Sequence, residues 1–154
     1  MSAKQVVLDA SVALKWRLRD EEATAQADSL LEDFLIDKLD LLTPTLFDYE
    51  MANALKLAVT MGRLTEAEAT TAIADFQQYD IQRYDFHAIQ ILALRLASQH
   101  QRSVYDSAYL ALARSKELWL HTGDKRLFNA VGQALPWVKW IGNYQLEFIP
   151  DRAG

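Results

Sequence analysis

The 154-residue sequence predicts an α/β domain in which helices pack on a parallel β-sheet. Short β-branched and aliphatic runs alternate with segments of helical periodicity from one end of the chain to the other. The composition agrees, because 51% hydrophobic and 24% charged residues are typical of a folded globular protein. No repeat, low-complexity segment or linker-like stretch divides the sequence. We therefore predict one domain over residues 1–154, with a core at about 5–142 and a tail at 143–154.

The first predicted element is a buried strand over 6–8, which stops at the carboxylate of Asp9. Ser11 lies where the first helix begins, so Asp9 should sit beside the free N–H groups of that helix. The acidic run at 20–22 predicts the first turn of a second helix, where negative side chains complement the helix dipole. Apolar residues then recur at helical spacing as far as Leu35.

The later elements follow from the same periodicities and from turn and capping residues. Thr45 or Asp48 can cap a long helix after Pro44, Gly62 can end that helix, and Thr65 begins another. The further predicted strands cover 39–43, 81–84, 118–121 and 137–141. The long helix after Pro44 is predicted to end near residue 61. The later predicted helices cover 65–79, 86–99, 106–115 and 124–131. In the tail, the side chains available for packing are Tyr144, Leu146 and Phe148.

Composition and charge exclude several kinds of protein. The chain has no cysteine, which rules out disulfides and thiolate metal sites. No apolar run approaches the roughly 18 residues that cross a bilayer, so we expect a cytoplasmic protein without membrane contact. The net charge of −5 argues against broad electrostatic binding of nucleic acid. It leaves nucleic-acid enzymes open, because carboxylates loaded with divalent cations form an electropositive site.

Four acidic residues recur where strands end or helices begin. Asp9 ends the first strand, Glu50 lies in the first turns of the long helix, Asp106 opens its helix, and Asp124 follows the strand at 118–121. In a parallel sheet, the strand ends and the starts of the following helices face one edge. We therefore expect the four carboxylates to converge at that edge.

Such a cluster needs a cation. Two like charges about 4 Å apart repel by roughly 4 kcal/mol at an effective dielectric near 20. A hard divalent cation bound between them makes the net interaction energy of the cluster favourable. Oxygen ligands without cysteine favour Mg²⁺ or Mn²⁺ over zinc, and such a site suits attack of water on a phosphodiester. Asp9 and Asp106 are the expected metal ligands, while Glu50 and Asp124 would bind directly or through water. Taken singly, Asp106 and Asp124 also fit a capping role, and Glu50 fits a solvated helix position.

Three polar side chains near these acids are candidates for contact with the substrate or for orienting the carboxylates. Ser11 and Thr122 each lie two residues from an acid, and either hydroxyl could orient a carboxylate, contact a phosphate or cap a helix. Asn53 lies three residues after Glu50 on the same helical face. The basic residues that could meet substrate phosphates are Lys15, Lys125 and Arg126. The three histidines show no ligand spacing.

Four segments of the chain resemble the PIN-domain family, most closely the VapC-like ribonuclease toxins of toxin–antitoxin pairs. They are VLDASVALKW at 7–16, YE at 49–50 with NAL at 53–55, YDSAYLALA at 105–113, and TGDKRL at 122–127. The segments stand in the family's order and cover the chain nearly end to end. The resemblance implies an α/β/α sandwich around a central, mainly parallel five-stranded sheet.

By that resemblance we expect a homodimeric endoribonuclease that depends on Mg²⁺ or Mn²⁺ and cuts single-stranded or loop RNA. The family's acidic positions correspond to Asp9, Glu50, Asp106 and Asp124, and its hydroxyl position corresponds to Thr122. A small antitoxin, encoded beside the toxin, would cover the active-site groove. Residues 125–128 lack the further acid that some relatives carry, which leaves the number of metal ions open.

Other α/β enzymes fit the sequence less well. Haloacid-dehalogenase phosphatases need a second Asp where Ser11 stands, and Rossmann domains need glycines at 10–13. Receiver domains need paired acids, which Lys4 and Gln5 do not supply. The serious alternative is a PIN-like module that binds nucleic acid or protein without significant nuclease activity. The intact acids count against it, because a binding module has no reason to keep their mutual repulsion.

Overall fold

The computed structural model describes residues 2–151, which form a five-stranded sheet flanked by helices. The strands are β1 (Lys4–Leu8), β2 (Leu39–Pro44), β3 (Gln82–Tyr84), β4 (Trp119–Thr122) and β5 (Val138–Trp140). The helices are α1 (Ala10–Leu14), α2 (Thr24–Leu35), α3 (Leu46–Thr60), α4 (Glu66–Gln78), α5 (Gln90–His100), α6 (Val104–Lys116) and α7 (Lys125–Val131). Short 3₁₀ turns cover Phe86–Ile89, Ile141–Asn143 and Leu146–Phe148. The predicted α/β class is confirmed.

All strand pairings in the sheet are parallel, and the strand order is β3-β2-β1-β4-β5. Because β1 lies in the middle, Val7 pairs with Leu42 of β2 on one side and with Leu120 of β4 on the other. The chain moves outward from β1 to β3 and then returns to place β4 on the opposite side of β1. Such a reversal opens a crevice at the carboxyl ends of the two adjacent strands, here β1 and β4.

The core is built around β1 and α6. Val6, Val7 and Leu8 are fully buried, as expected for a parallel strand that is covered on both faces. Residues 107–113 of α6 are buried without interruption, and most of them are small or aliphatic. A helix that is apolar on every side belongs in the interior. The interior position of α6 brings its polar residues, Asp106 and Tyr109, within electrostatic reach of the end of β1.

Three helix starts differ from the sequence predictions. Helix α2 begins at Thr24, after Ala23 with a φ of 59°, so the acids at 20–22 precede the helix and do not form its first turn. A tertiary contact explains the difference, because the Asp20 carboxylate pairs with the Arg63 guanidinium at 2.6 Å. Asp106 does not open α6, since Ser103 is the capping residue and Asp106 lies in the first turn.

The third difference concerns α3. Thr45 forms no side-chain capping hydrogen bond, and Asp48 pairs with an arginine of β3 instead of capping the helix. The signals at the other end of this helix are confirmed. Gly62 follows α3 with a φ of 75°, a conformation that glycine adopts without steric cost. The capping box that begins α4 at Thr65 has both of its hydrogen bonds.

The segment after β5 packs against the rest of the fold. Tyr144 is buried, and its hydroxyl donates a 2.8 Å hydrogen bond to Asp33 of α2. Leu146 packs against the core as expected, whereas Phe148, which the sequence also suggested for packing, is 60% exposed. No helix within residues 2–151 has the length and apolar character needed to cross a membrane.

Candidate active site

Asp9 lies in the crevice at the carboxyl end of β1 and is the N-cap residue of α1. Its Oδ1 accepts a hydrogen bond from the Ser11 backbone N–H at 3.3 Å, and its Oδ2 accepts one from the Thr122 hydroxyl at 2.8 Å. The residue is only 8% exposed. A carboxylate this deeply buried depends on such donors, because it has lost most of its contact with water.

Two hydroxyl groups connect the turn after β1 to the turn after β4. The Ser11 and Thr122 hydroxyl oxygens lie 3.4 Å apart. The Gly123 backbone N–H donates to Ser11 Oγ at 2.8 Å, and the Asp124 backbone N–H donates to Thr122 Oγ1 at 3.0 Å. These bonds hold the two turns at a fixed separation, so both hydroxyls orient the site in addition to any contact with substrate.

Glu50 is held by a residue that the sequence analysis did not single out. The hydroxyl of Tyr109, on α6, donates a 2.5 Å hydrogen bond to Glu50 Oε1 on α3. Tyr109 is only 1% exposed, and a buried tyrosine hydroxyl usually has such a partner. The signal was present in the sequence, since this tyrosine stands in the otherwise small and aliphatic stretch 107–113, one turn after Asp106.

Asp106 contacts a basic side chain. Its Oδ2 accepts a 3.1 Å hydrogen bond from Arg102, four residues earlier, and both side chains are partly exposed. Arg102 lies just before the Ser103 cap, so the chain reversal between α5 and α6 places the guanidinium beside the acid. Arg102 is the second residue at the site that the sequence analysis did not identify.

Three of the four acids lie close enough to one another to interact electrostatically. Burial, together with the charges of Glu50 and Asp106, raises the pKa of Asp9 to about 7, against the opposing effect of the hydrogen bonds from Thr122 and Ser11. Burial also raises the pKa of Glu50, to which the charge of Asp106 contributes. Asp9, Glu50 and Asp106 therefore form one group of mutually repelling carboxylates, which we call the carboxylate cluster.

Asp124 lies beside the carboxylate cluster and has a structural task of its own. It is the N-cap residue of α7, and its Oδ1 accepts hydrogen bonds from the backbone N–H groups of Arg126 at 2.9 Å and Leu127 at 3.4 Å. Its link to Asp9 runs through Thr122, which bonds to both residues. Asp124 therefore has the capping role that its position in the sequence suggested. Its Oδ2 atom is left for other ligands.

The donor chemistry of the carboxylate cluster fits a hard divalent cation. Within residues 2–151, no group of three acids or histidines lies close enough together to hold a metal ion, so the expected convergence of four carboxylates is not present as a ready ligand set. Glu50 bonds to Tyr109, and Asp106 bonds to Arg102. The available donors are carboxylate and hydroxyl oxygens, which suit Mg²⁺ or Mn²⁺. The raised pKa of the buried Asp9 shows that its charge lacks compensation, which a cation would supply.

The remaining candidates lie in less direct positions. Asn53 is exposed on α3, one turn beyond Glu50, and has no side-chain hydrogen bond to the residues that the structure describes. Lys15 is only 2% exposed, and its ammonium donates to the Glu22 carbonyl at 2.8 Å, so it does not face solvent as a phosphate ligand would. Lys125 and Arg126 are exposed at the start of α7 and remain accessible to a substrate.

Comparison with known proteins identifies the family and several relatives. The family model of the PIN domain matches residues 6–133. Ribonuclease VapC1 of Mycobacterium tuberculosis is 34% identical over 89 residues, which is 58% of this chain and 66% of VapC1. Ribonuclease VapC12 of the same organism is 29% identical over 127 residues, which is 82% of this chain and 92% of VapC12. Ribonuclease VapC9 is 32% identical over 133 residues, covering 84% of this chain and 92% of VapC9.

Two solved structures share the fold. PAE2754 from Pyrobaculum aerophilum has a TM-score of 0.59 and 24% identity, covering 83% of this chain and 79% of that chain. VapC20 of Mycobacterium tuberculosis, described as a toxin that cleaves the Sarcin-Ricin loop, has a TM-score of 0.60 and 16% identity. That match covers 82% of this chain and 95% of VapC20. At these identities the likeness concerns the fold alone.

Proposed function

The chain belongs to the PIN-domain family, and from that premise we propose that it is a divalent-metal-dependent endoribonuclease that hydrolyses RNA phosphodiester bonds. The relatives named as VapC ribonucleases support the activity. The observation that carries the proposal is the state of Asp9. Burial and, to a smaller extent, the neighbouring acids raise its pKa, and hydroxyl and amide donors hold it without a basic side chain within residues 2–151. A fold that keeps this repulsion benefits when a cation binds.

The acids have distinct tasks in this proposal. Asp9 and Asp106 would hold Mg²⁺ or Mn²⁺, with Glu50 and Asp124 contributing directly or through water. When bound, the cation activates water for attack and stabilises the charge that develops on the phosphate. Asp9 must release its proton before it can serve as a ligand, so a pKa of about 7 makes binding of the cation weaken as the solution becomes acidic.

The hydroxyl residues position these acids. Thr122 donates to Asp9 Oδ2, which leaves Oδ1 with only the long bond from the Ser11 N–H. Ser11 keeps the two turns together through Gly123. Tyr109 fixes the rotation of Glu50 by donating to Oε1 and leaves Oε2 for other ligands. Hydrogen bonds from neighbours of this kind orient metal ligands and tune their basicity.

The activity is tested on purified protein that has been separated from any partner. We expect cleavage of single-stranded RNA with Mg²⁺ or Mn²⁺, no cleavage in EDTA, and recovery when the metal is restored. Asp106→Asn should abolish cleavage and leave the circular dichroism spectrum unchanged. If the folded wild-type protein cleaves no RNA with either metal, the proposed nuclease function is wrong. That result would favour a PIN-like module that binds nucleic acid or protein without significant nuclease activity.

We further propose that the chain is the toxin of a toxin–antitoxin pair in the cytoplasm and that it forms a homodimer. The VapC names of its relatives support the pairing. A small protein encoded next to it should co-purify and suppress cleavage, and sedimentation should give the mass of two chains. Absence of any neighbouring reading frame would argue against the toxin and leave the nuclease unaffected.

A further inference from the structure

A groove of about 500 Å³ lies along the β4–β5 side of the sheet, outside the carboxylate cluster. We call it the edge groove. The side chains that give it its character are Trp119, His121, Phe128, Lys139, Trp140 and Phe148. Phe148 is 60% exposed, so its ring is free to contact a ligand.

The edge groove is lined by one basic side chain and by no acid among the described residues, although the chain as a whole carries a net charge of −5. Among the described residues that line it, Lys139 is the one charged side chain, and its ammonium lies 4.2 Å from the centre of the Trp119 ring. Burial and Lys139 lower the pKa of His121 to about 3, so this imidazole is neutral. His121 is also almost fully buried, and its Nδ1 has no hydrogen-bond partner in the described part of the chain.

One residue of the edge groove is a sheet neighbour of the residue that holds Asp9. Trp140 of β5 pairs in register with Thr122 of β4, the residue whose hydroxyl holds Asp9. The Lys125 ammonium lies 5.2 Å from the centre of the Trp140 ring and follows Asp124 in the chain. The edge groove therefore lies beside the turn that holds Asp9.

We propose that the edge groove is a binding subsite for the RNA strand, in which a nucleobase stacks on its aromatic side chains and Lys139 contacts an adjoining phosphate. The assignment rests on the proposed nuclease function and extends it. Aromatic platforms combined with basic side chains are the means by which proteins bind single-stranded nucleic acid without strict sequence preference. The absence of acids among the described lining residues favours a polyanion over a protein segment as the ligand.

The test measures binding in an Asp9→Asn background, which prevents cleavage. The probes are a fluorescently labelled single-stranded RNA and an abasic ribose-phosphate oligomer of the same length, followed by fluorescence anisotropy. Phe148→Ala should weaken RNA binding by about tenfold, the effect of losing one stacked base, and should leave binding of the abasic oligomer unchanged. Lys139→Gln should weaken binding of both probes and reduce the slope of log K against log salt by about 0.7.

Two matched variants serve as controls. Leu35→Ala removes a similarly exposed apolar side chain, and Lys38→Gln removes an exposed lysine beside the start of β2, at the opposite end of the strands. Both should bind RNA as the Asp9→Asn parent does. The proposal is overturned if the parent binds no RNA or if Phe148→Ala and Lys139→Gln bind it unchanged. Failure of the RNA subsite would leave metal-dependent cleavage by the wild-type chain unchanged, whereas failure of the proposed nuclease function would abolish it. The two outcomes are therefore distinguishable.

A protein ligand would give a different result. If Phe148→Ala and Lys139→Gln bound both probes as the parent does but lost a co-purifying small protein, the edge groove would be a protein-docking surface and the RNA subsite would be excluded. Melting temperatures of all variants, measured by circular dichroism, establish that changes in binding do not come from unfolding.

Discussion

Two acids of the active site, Asp9 and Glu50, are held differently from the acids of the outer surface, whereas Asp106 is paired with Arg102. On the surface, the two oxygens of Asp28 each accept a 2.8 Å hydrogen bond from the guanidinium of Arg19. At the site, Asp9 and Glu50 accept hydrogen bonds from a threonine and a tyrosine hydroxyl. No basic side chain within residues 2–151 forms an ion pair with either of these two carboxylates. The same residue type is thus neutralised in one region and left uncompensated in the other.

The surface ion pairs and the buried site carboxylates contribute differently to stability and to activity. An exposed ion pair contributes only about 0–1 kcal/mol, so the surface pairs are individually dispensable. A buried carboxylate without a cation costs free energy, and such perturbed groups concentrate at functional sites. Asp9 and Glu50 should therefore be important for activity and unfavourable for the stability of the metal-free protein.

The largest expected effect is on the rate of RNA cleavage, when one carboxylate charge is removed at the site and compared with the same change on the surface. Asp9→Asn should lower the rate of RNA cleavage by about 1,000-fold or more, because a metal's stabilisation of the transition state amounts to several kcal/mol. Asp28→Asn should leave the rate unchanged. The measurement is single-turnover cleavage with Mn²⁺. Equal rates for the two variants would show that the difference in burial has no catalytic meaning.

The next effect concerns two buried tyrosines that each donate to a carboxylate. Tyr109→Phe removes the bond to Glu50 at the site, whereas Tyr144→Phe removes the 2.8 Å bond to Asp33 outside it. We expect Tyr109→Phe to weaken Mn²⁺ binding by about 10- to 100-fold, as loss of a ligand-orienting hydrogen bond does. Titration calorimetry should find Tyr144→Phe unchanged. If both variants bound Mn²⁺ equally well, Tyr109 would have only a packing role.

A third prediction uses the pH dependence of stability without metal. The pKa of Asp9 rises from 3.8 to about 7 on folding, so the folded state binds the extra proton and acidification through this interval stabilises the fold. The pKa of His121 falls from 6.5 to about 3, so the unfolded state binds the extra proton and acidification destabilises the fold. The two contributions oppose each other in the wild-type protein.

Asp9→Asn should remove one of these opposing contributions. Its free energy of unfolding should exceed that of the wild type above pH 7 and should then fall more steeply on acidification, by up to about 1.4 kcal/mol per pH unit. Urea unfolding in EDTA at a series of pH values measures both quantities. Parallel curves for the two proteins would mean that Asp9 titrates in the folded state as it does in the unfolded chain.

The smallest effect is expected on the surface. Arg19→Gln breaks the ion pair with Asp28 and should lower the free energy of unfolding by no more than about 1 kcal/mol, since exposed pairs contribute little. Added salt should reduce even this difference. A loss of several kcal/mol in urea unfolding would show that surface pairing, and not only the core, determines the stability of this fold.

Much of the architecture could be predicted from local patterns. The strand that ends at Asp9, the glycine after α3 and the capping box of α4 depend on neighbours in sequence, and the structure confirms them. The start of α2 could not be predicted, because the acids before it pair with Arg63, more than forty positions away. Long-range ion pairs leave no periodic signal in a sequence.

The contrast is sharpest within the site. The sequence by itself determined that carboxylates stand at the ends of β1 and β4 and on α3 and α6, since strand and helix periodicity place them there. Only the tertiary structure decided that Tyr109 holds Glu50 and that Lys15 is buried. It also decided which acids repel one another. The physical reason is that hydrogen bonds, burial and charge interactions act between atoms that are close in space, and helical or strand spacing specifies only which residues share a face.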